Sequence, residues 1–390
     1  MKVAFVAIGD PHDRSIWAGT PHYALREMSR RLPDLHVIDT RRIDAVLLGL
    51  NRITRRIGWD IAREPIFTRL YASLVQRALR HIDPDVVLSI GASNKLADTQ
   101  SSWPIVHVSD ALFETITSYY RKYHRISDRS RRLGNRLQQR LIDRCNAILL
   151  MSDWAKDSAE EFYSVESGLI SVVPIGANLD VDPGVEILNS KKDKLRLLFV
   201  GIAWDRKGGP LLLEVFRHIR AVVQDAELHI AGCSPPEAQG LPGVLVHGYL
   251  KKADPAQRAV LERLYRDASI FAMLSLEEAF GLVYCEAAAY GLPAAALRTG
   301  GVSTIVKDER TGLLFDPNED PRIIAKRIVD LWFAPHQYDA MRAAARHEFE
   351  SRLNWSIWGD AVERELRAAA RRGAGESDLD PRPAQQSGIC

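Results

Sequence analysis

Residues 274–306 read LSLEEAFGLVYCEAAAYGLPAAALRTGGVSTIV, and their reading decides the fold. Ile270 to Leu274 is a short apolar strand, Ser275 to Gly281 a polar loop, and Leu282 to Tyr290 a helix stopped by Gly291 and Pro293. Glu278 falls in the loop and Glu286 in the first turns of the helix. The unpaired N–H groups of Gly281, Leu282 and Val283 at the positive helix end suit an anion. Gly281 lets the backbone approach a ligand closely. Two glutamates alone also have a plainer reading: Glu286 offsets the helix dipole by about 0.3–1 kcal/mol, and Glu278 is a solvated loop charge.

The flanking residues decide between these. Glu278-Ala-Phe280-Gly281-Leu282-Val283-Tyr-Cys-Glu286, then Gly291-Leu-Pro293 and Gly300-Gly301, closely resembles the E-x7-E signature of retaining GT-B glycosyltransferases of family GT4. That resemblance implies an α/β, GT-B architecture: two Rossmann-like doubly wound domains facing each other across a cleft. It also implies a metal-independent transfer with no cofactor, a nucleotide-diphosphate sugar serving as co-substrate.

Bulk properties are compatible with this. The 390 residues allow two domains, each with its own core. A hydrophobic content of 46% with 26% charged residues is ordinary for a soluble globular protein, and a net charge of +2 demands no polyanionic partner. Cys145, Cys233, Cys285 and Cys390 lack the spacing of a zinc site or a disulfide framework, so a reducing, cytoplasmic setting is expected. The opening MKVAFVAIGD reads as a buried strand, its apolar run being too short for a signal peptide. No stretch approaches the roughly 20 apolar residues of a membrane span. Peripheral attachment at the inner face of a membrane is the alternative setting.

In the first domain, residues 1–178, Val3 to Ile8 is a strand followed by the loop Gly9 to Gly19 and a helix from Thr20-Pro21, with Thr20 expected at the N-cap. Strand, glycine-containing loop and helix N-terminus make Gly19 a candidate ligand contact. A strand is expected at His36 to Ile38, an Arg-rich amphipathic region at 41–80, and buried parallel strands at Val86 to Ile90 and Ile105 to Val108. Asp110 follows the second of these, where a strand delivers side chains to a cleft. His107, inside the strand, is expected to be packed or hydrogen-bonded. Tyr119 to Arg144 is rich in Arg and aromatic residues; a solvated face, contact with an anionic membrane and a nucleic-acid contact compete for it. Strands follow at Ala147 to Met151 and Ile170 to Pro174, with Ser152 or Asp153 capping the helix between them.

A linker over residues 179–194 concentrates Asp, Pro, Gly, Asn, Ser and Lys. The second domain, 195–353, opens on a buried strand ending at Gly201. Its loop, Ala203-Trp-Asp-Arg206-Lys207-Gly208-Gly209, holds two basic residues that on spacing alone are as readily solvated as bound. The loop is similar to the family's phosphate-binding loop, with Ile202 standing where many members carry arginine; Arg206 is the substitute charge. Gly248-Tyr249-Leu250 lies near the nucleotide base in relatives. Residues 354–372 form a last amphipathic helix that in GT-B enzymes crosses back to the first domain, and 373–390 is a polar tail expected to be disordered.

The resemblance implies roles. Arg206 and Lys207 stabilise the leaving diphosphate, Glu286 holds the ribose, and Glu278 with the Phe280-Gly281 backbone positions the sugar. Asp110 stands at the place of a family His-Asp pair, without its histidine. A hydroxyl acceptor of the glycan, glycolipid or secondary-metabolite type is implied, and no nucleic acid. Three departures, Ile202, the missing histidine and Thr304 in place of the usual glutamate after Gly300-Gly301, support the competing reading of a catalytically impaired nucleotide-sugar-binding protein.

Overall fold

The computed structural model describes residues 1–100 and 102–374; the expected disordered tail lies, from 375 on, outside the described residues. Two parallel six-stranded sheets carry the chain. The first holds β1 (Val3–Ala7), β2 (Leu35–Val37), β3 (Val86–Ile90), β4 (Ile105–Ser109), β5 (Cys145–Leu150) and β6 (Ile170–Val172) in the order β2-β1-β3-β4-β5-β6. The second holds β7 (Arg196–Val200), β8 (Glu227–Ala231), β9 (Val244–Gly248), β10 (Ile270–Met273), β11 (Ala294–Leu297) and β12 (Gly312–Phe315) in the order β12-β11-β10-β7-β8-β9.

Strands covered by helices on both faces are expected to be largely apolar, and the central ones are, with Ser89, His107 and Ser109 as buried polar exceptions in β3 and β4. Every residue of β1, β3, β4, β10, β11 and β12 is buried. Register runs Phe5 to Leu88 to Val106 to Ala147 across the first sheet, and Leu198 to Phe271 to Ala294 to Gly312 across the second. In each sheet the winding direction reverses once, between β1 and β3 and between β7 and β10. At such switch points the loops beyond the strand ends diverge and leave a crevice.

Three local expectations are corrected. The helix after β1 spans Thr20–Arg31, and its N-cap is Gly19 in the left-handed region; Thr20 makes no capping bond and is the first helical residue. The strand expected at His36 to Ile38 starts one residue earlier, and the one expected to reach Pro174 ends at Val172. Ser152 is the cap before Asp153–Phe162, accepting from Ala155 N.

The linker is tied down by helix Pro335–Ser351, whose buried Arg346 meets Asp182 at 2.6 and 2.9 Å while Arg342 donates to the carbonyls of Ile187 and Leu188. The last helix, Trp355–Gly373, packs on Thr20–Arg31 of the first domain: Arg31 bonds Asp360 at 2.6 Å, and Trp355 stacks on Tyr23. No described helix is long and apolar enough to cross a membrane.

Candidate active site

The C-terminal ends of the two sheets open onto one cleft of about 1350 Å³. On the second-domain side it is built at the β7/β10 switch point. Gly208 has φ +73°, and a Cβ there would run into the Leu274 carbonyl, so only glycine lets the loop after β7 close against β10. This closure fixes Arg206, whose Nη1 donates to the Glu277 carbonyl at 2.6 Å, and Lys207, whose Nζ pairs with Glu278 Oε2. Burial pushes the Lys207 ammonium below its ordinary value, and the Glu278 charge opposes that shift. Gly300 lies beneath the loop, where a side chain would strike the Glu278 carbonyl.

Glu286 is fully buried in the helix Leu282–Ala289. Tyr265 donates its hydroxyl proton to Oε2 at 3.0 Å, and Lys252 pairs with Oε1. A carboxylate has roughly four acceptor sites, so Glu286 keeps capacity for further donors at the cleft edge it lines.

The first-domain side rests on an unusual backbone. Trp17, Ala18 and Gly19 are consecutive left-handed residues, with φ of 46°, 53° and 88°. Non-glycine residues there cost roughly 1–2 kcal/mol each, so the surroundings must hold them. Asn178 Nδ2 donates to the Ala18 carbonyl at 2.7 Å, and Trp355 Nε1 donates to Asn178 Oδ1 at 3.0 Å. The fold directs the Trp17 indole to Asp110, where Nε1 donates to Oδ2 at 3.3 Å. Burial pushes the Asp110 carboxyl up to about 6, partly offset by the Trp17 and Ala111 N–H bonds. His107 is buried against Ser89 Oγ at 2.8 Å, and burial pushes its imidazole down to about 4, so it is neutral at pH 7.

The cleft brings together Asp110, Gly201, Arg206, Lys207, Tyr249, Leu250, Glu278, Phe280, Gly281, Leu282, Val283 and Glu286. Ile202, 71% exposed, lines it as well. Gly19, the remaining candidate contact, and Thr304, the departure after Gly300-Gly301, lie off the cleft. Gly19 is buried beside Asn178 and Tyr23 and does not line the cleft, while its neighbours Ala18 and Thr20 do. Thr304 does not line the cleft; its hydroxyl donates to Asp153 Oδ2 at 3.0 Å and accepts from Asp153 N at 3.1 Å, across to the first domain.

The Arg-rich stretch also divides. Tyr119 and Tyr120 are half-buried and bond to the second domain, where their hydroxyl oxygens accept from Glu278 N and Ala279 N, both at 2.9 Å. Arg129, Arg131 and Arg140 are held by Glu64, Glu114 and Asp98. Trp17, Tyr119, Tyr120 and Lys252 were missed from sequence; only the isolated Trp in a loop beyond a buried strand signalled any of them.

Comparison with known proteins places this geometry. Residues 22–181 match the family model Glycosyltransferase Family 4, and residues 194–333 match Glycosyl transferases group 1. Among similar curated proteins, the D-inositol 3-phosphate glycosyltransferase of Corynebacterium urealyticum is 28% identical over 272 residues, 63% of each chain. That of Segniliparus rotundus is 31% identical over 233 residues, 55% of this chain and 50% of that one. The chain thus spans between half and just under two thirds of the length of these two relatives. Among solved structures, a glycosyltransferase from Rickettsia africae superimposes with TM-score 0.66 at 15% identity, covering 96% of this chain and 99% of that one. Anabaena HepE, solved with UDP and glucose, gives 0.64 at 14% identity, covering 94% and 100%. At such identities the structural likeness establishes the fold, which is GT-B. With its two halves matched by the two family models, the chain belongs to the group 1 glycosyl transferases of family GT4.

Proposed function

We propose that this protein transfers a hexosyl group from a nucleotide-diphosphate sugar to a hydroxyl acceptor, with retention of configuration and without a metal, in glycan, glycolipid or secondary-metabolite biosynthesis. The observation that carries the reading is the convergence of Arg206 and Lys207 with the Glu278 loop and the helix N-terminus at Leu282, all at the β7/β10 switch point. Two cations beside free helix N–H groups suit a diphosphate, whose charge grows as the bond to the sugar breaks. The bond from the anomeric carbon to the diphosphate oxygen breaks as one to the acceptor oxygen forms on the same face, and the acceptor's hydroxyl proton passes to the departing diphosphate oxygen. Asp110, raised to about 6, is largely ionised at pH 7 and can hold the acceptor hydroxyl by its proton. Glu286 fits ribose hydroxyls at the cleft edge. That HepE was solved with UDP and glucose supports a nucleotide-sugar donor.

Arg125, Arg132 and Arg136 are exposed, with no ion pair among the described residues, and form the part of the Arg-rich stretch available to an anionic membrane.

The test is a thermal-shift panel of UDP-, GDP- and ADP-sugars. One nucleotide class should raise the melting temperature of the wild type by mass action and leave Lys207→Ala unmoved. No response to any donor would remove the reading.

A further inference from the structure

Away from the donor loops, the cleft runs into a chamber of the first domain bounded by the helices Arg41–Thr54, Pro65–Ile82, Phe113–Tyr119 and Asp128–Ile142 and by the turn Ile61–Arg63. Its wall carries Arg55, Asp60, Arg63 and Gln138. Asp60, 2% exposed, is one carboxylate facing two guanidiniums, with Arg55 Nη2 at 3.1 Å and Arg63 Nε at 3.4 Å. Asn51 Nδ2 also donates to it, at 2.9 Å. The next buried carboxylate, Asp44, is matched by Lys95 at 2.9 Å. Glu64 and Glu114 are engaged by Arg129 and Arg131. The wall therefore holds one cation more than its buried anions neutralise.

Arg63 shares Asp60 with Arg55 and is the less satisfied of the two, its Nε reaching the carboxylate only at 3.4 Å. Its Nε and Nη1 are shut off from solvent and make no hydrogen bond. Its guanidinium lies 4.1 Å over the ring of Phe113, and that ring packs on Gly134. One helical turn beyond Gly134, Gln138 is buried, and its Nε2 also lacks a partner. Stacking thus brings unpaired donors from two separate elements to one chamber. Buried donors are nearly always satisfied, and a pair in the wall of an open chamber points to an acceptor-rich ligand. Burial pushes the Arg63 guanidinium below its ordinary value, with Asp60 opposing, so an anion here would relieve a standing penalty.

We propose that this chamber is an oxyanion site, anchored by Arg63 with Arg55 and Gln138 beside it, which takes a carboxylate or phosphate carried by the acceptor. Guanidinium groups match the two oxygens of either group, and both anions present the same acceptor geometry. The assignment of the anion to the acceptor rests on the glycosyltransferase reading; the binding site itself does not.

Calorimetric titration tests it with two probes, inorganic phosphate and acetate, in full-length protein carrying Lys207→Ala so that the donor loop loses its buried cation. At least one probe should bind saturably at one site, and the tighter of the two identifies the group. Adding Arg63→Gln should weaken that binding about ten- to a hundredfold, the scale of a charged hydrogen bond, with the melting transition retained. Gln138→Leu, which keeps both charges, should weaken it several-fold and covers the case in which Arg63→Gln fails to fold. Binding of neither probe, or equal binding to the Arg63 and Gln138 variants, overturns the proposal. A failed nucleotide-sugar panel with Arg63-dependent anion binding intact would retire the donor reading alone and leave the site standing.

Discussion

The hydroxyl oxygen of Tyr119, on the first domain, accepts the backbone N–H of Glu278, on the loop after β10 of the second domain, at 2.9 Å. The neighbouring Tyr120 does the same for Ala279 N, and its ring lies 5.5 Å from the Arg206 guanidinium. Arg121 N adds a bond to Glu277 Oε1 at 3.2 Å. The domains therefore meet on the loop that carries Glu278, so these inter-domain bonds help to set the position of that loop. Tyr119→Phe removes an acceptor worth about 1 kcal/mol and should raise the donor KM about fivefold without lowering the melting temperature appreciably. The double variant Tyr119→Phe/Tyr120→Phe should lower kcat as well. Steady-state kinetics check this; unchanged kcat and KM in the double variant would disprove the coupling.

A pH profile tests the Trp17–Asp110 contact. Activity that needs the Asp110 carboxylate should rise with pH through a midpoint near 6, because burial raises this group. The indole N–H bond stabilises the charged form, so Trp17→Phe should move the midpoint upward, and Asp110→Asn should abolish the limb. The sign for stability is the reverse of a salt-bridged aspartate. With a folded value above the unfolded one, ionising Asp110 costs stability, and the wild type should lose ground to Asp110→Asn as pH climbs from about 4 to 6.

Much of this architecture was legible in the chain because parallel strands covered on both faces are largely apolar, and runs such as Val86 to Ile90 have few other uses. The second-domain side was legible for a different reason: its charged residues fall in short motifs contiguous in sequence, Arg206-Lys207-Gly208 after β7 and Glu278 to Glu286 after β10, even though the packing that fixes them, Gly208 against Leu274, is long-range. The first-domain side was not. Asp110 gains its partner from Trp17, 93 residues away, and Asn178 reaches Ala18 across 160. No local periodicity encodes such pairings. Tyr119 and Tyr120 were hidden among the arginines around them, since sequence alone cannot separate a surface that faces water from one that faces the other domain. Nor does sequence show where Thr304 points: it follows Gly300-Gly301, and the turn of helix Val302–Ile305 aims it at Asp153.

Lys207→Ala and Glu286→Ala should each lower donor turnover about a hundredfold or more, the scale of losing one group that stabilises developing charge. Their side effects should differ. Lys207→Ala leaves the buried Glu278 carboxylate without its ion-pair partner, a cost that falls as the carboxyl takes up a proton, whereas Glu286→Ala leaves the Tyr265 hydroxyl buried without its acceptor at any pH. Glu286→Ala should therefore also lose about 1–3 kcal/mol of folding stability. Turnover and urea midpoints measured together check both; wild-type donor hydrolysis and transfer in either variant would refute the roles given to these residues.

Asp180, at the head of the linker, carries the last prediction. Its carboxylate receives Arg14 at 3.0 Å, Arg26 at 3.3 Å and the Tyr23 hydroxyl at 3.2 Å from the first domain, and Arg258 at 2.8 Å from the second. Burial alone would raise its carboxyl, but the Arg14 bond and charge, with Tyr23 and Arg258, outweigh that and hold it below the usual carboxylate range. A depressed folded value means stability that is present above the unfolded value of about 3.9 and lost as pH falls through the folded one. Asp180→Asn should cost about 2 kcal/mol at pH 7, toward the low end for a charged network because its arginines are partly solvated. The gap between wild type and variant should close as pH drops below about 4. Because the same carboxylate joins Arg14 to Arg258, the variant should also let the domains part more easily, which proteolysis of the linker at residues 179–194 would report. A stability gap that stays constant from pH 7 to pH 3 would show that the charge of Asp180 is not what holds this junction.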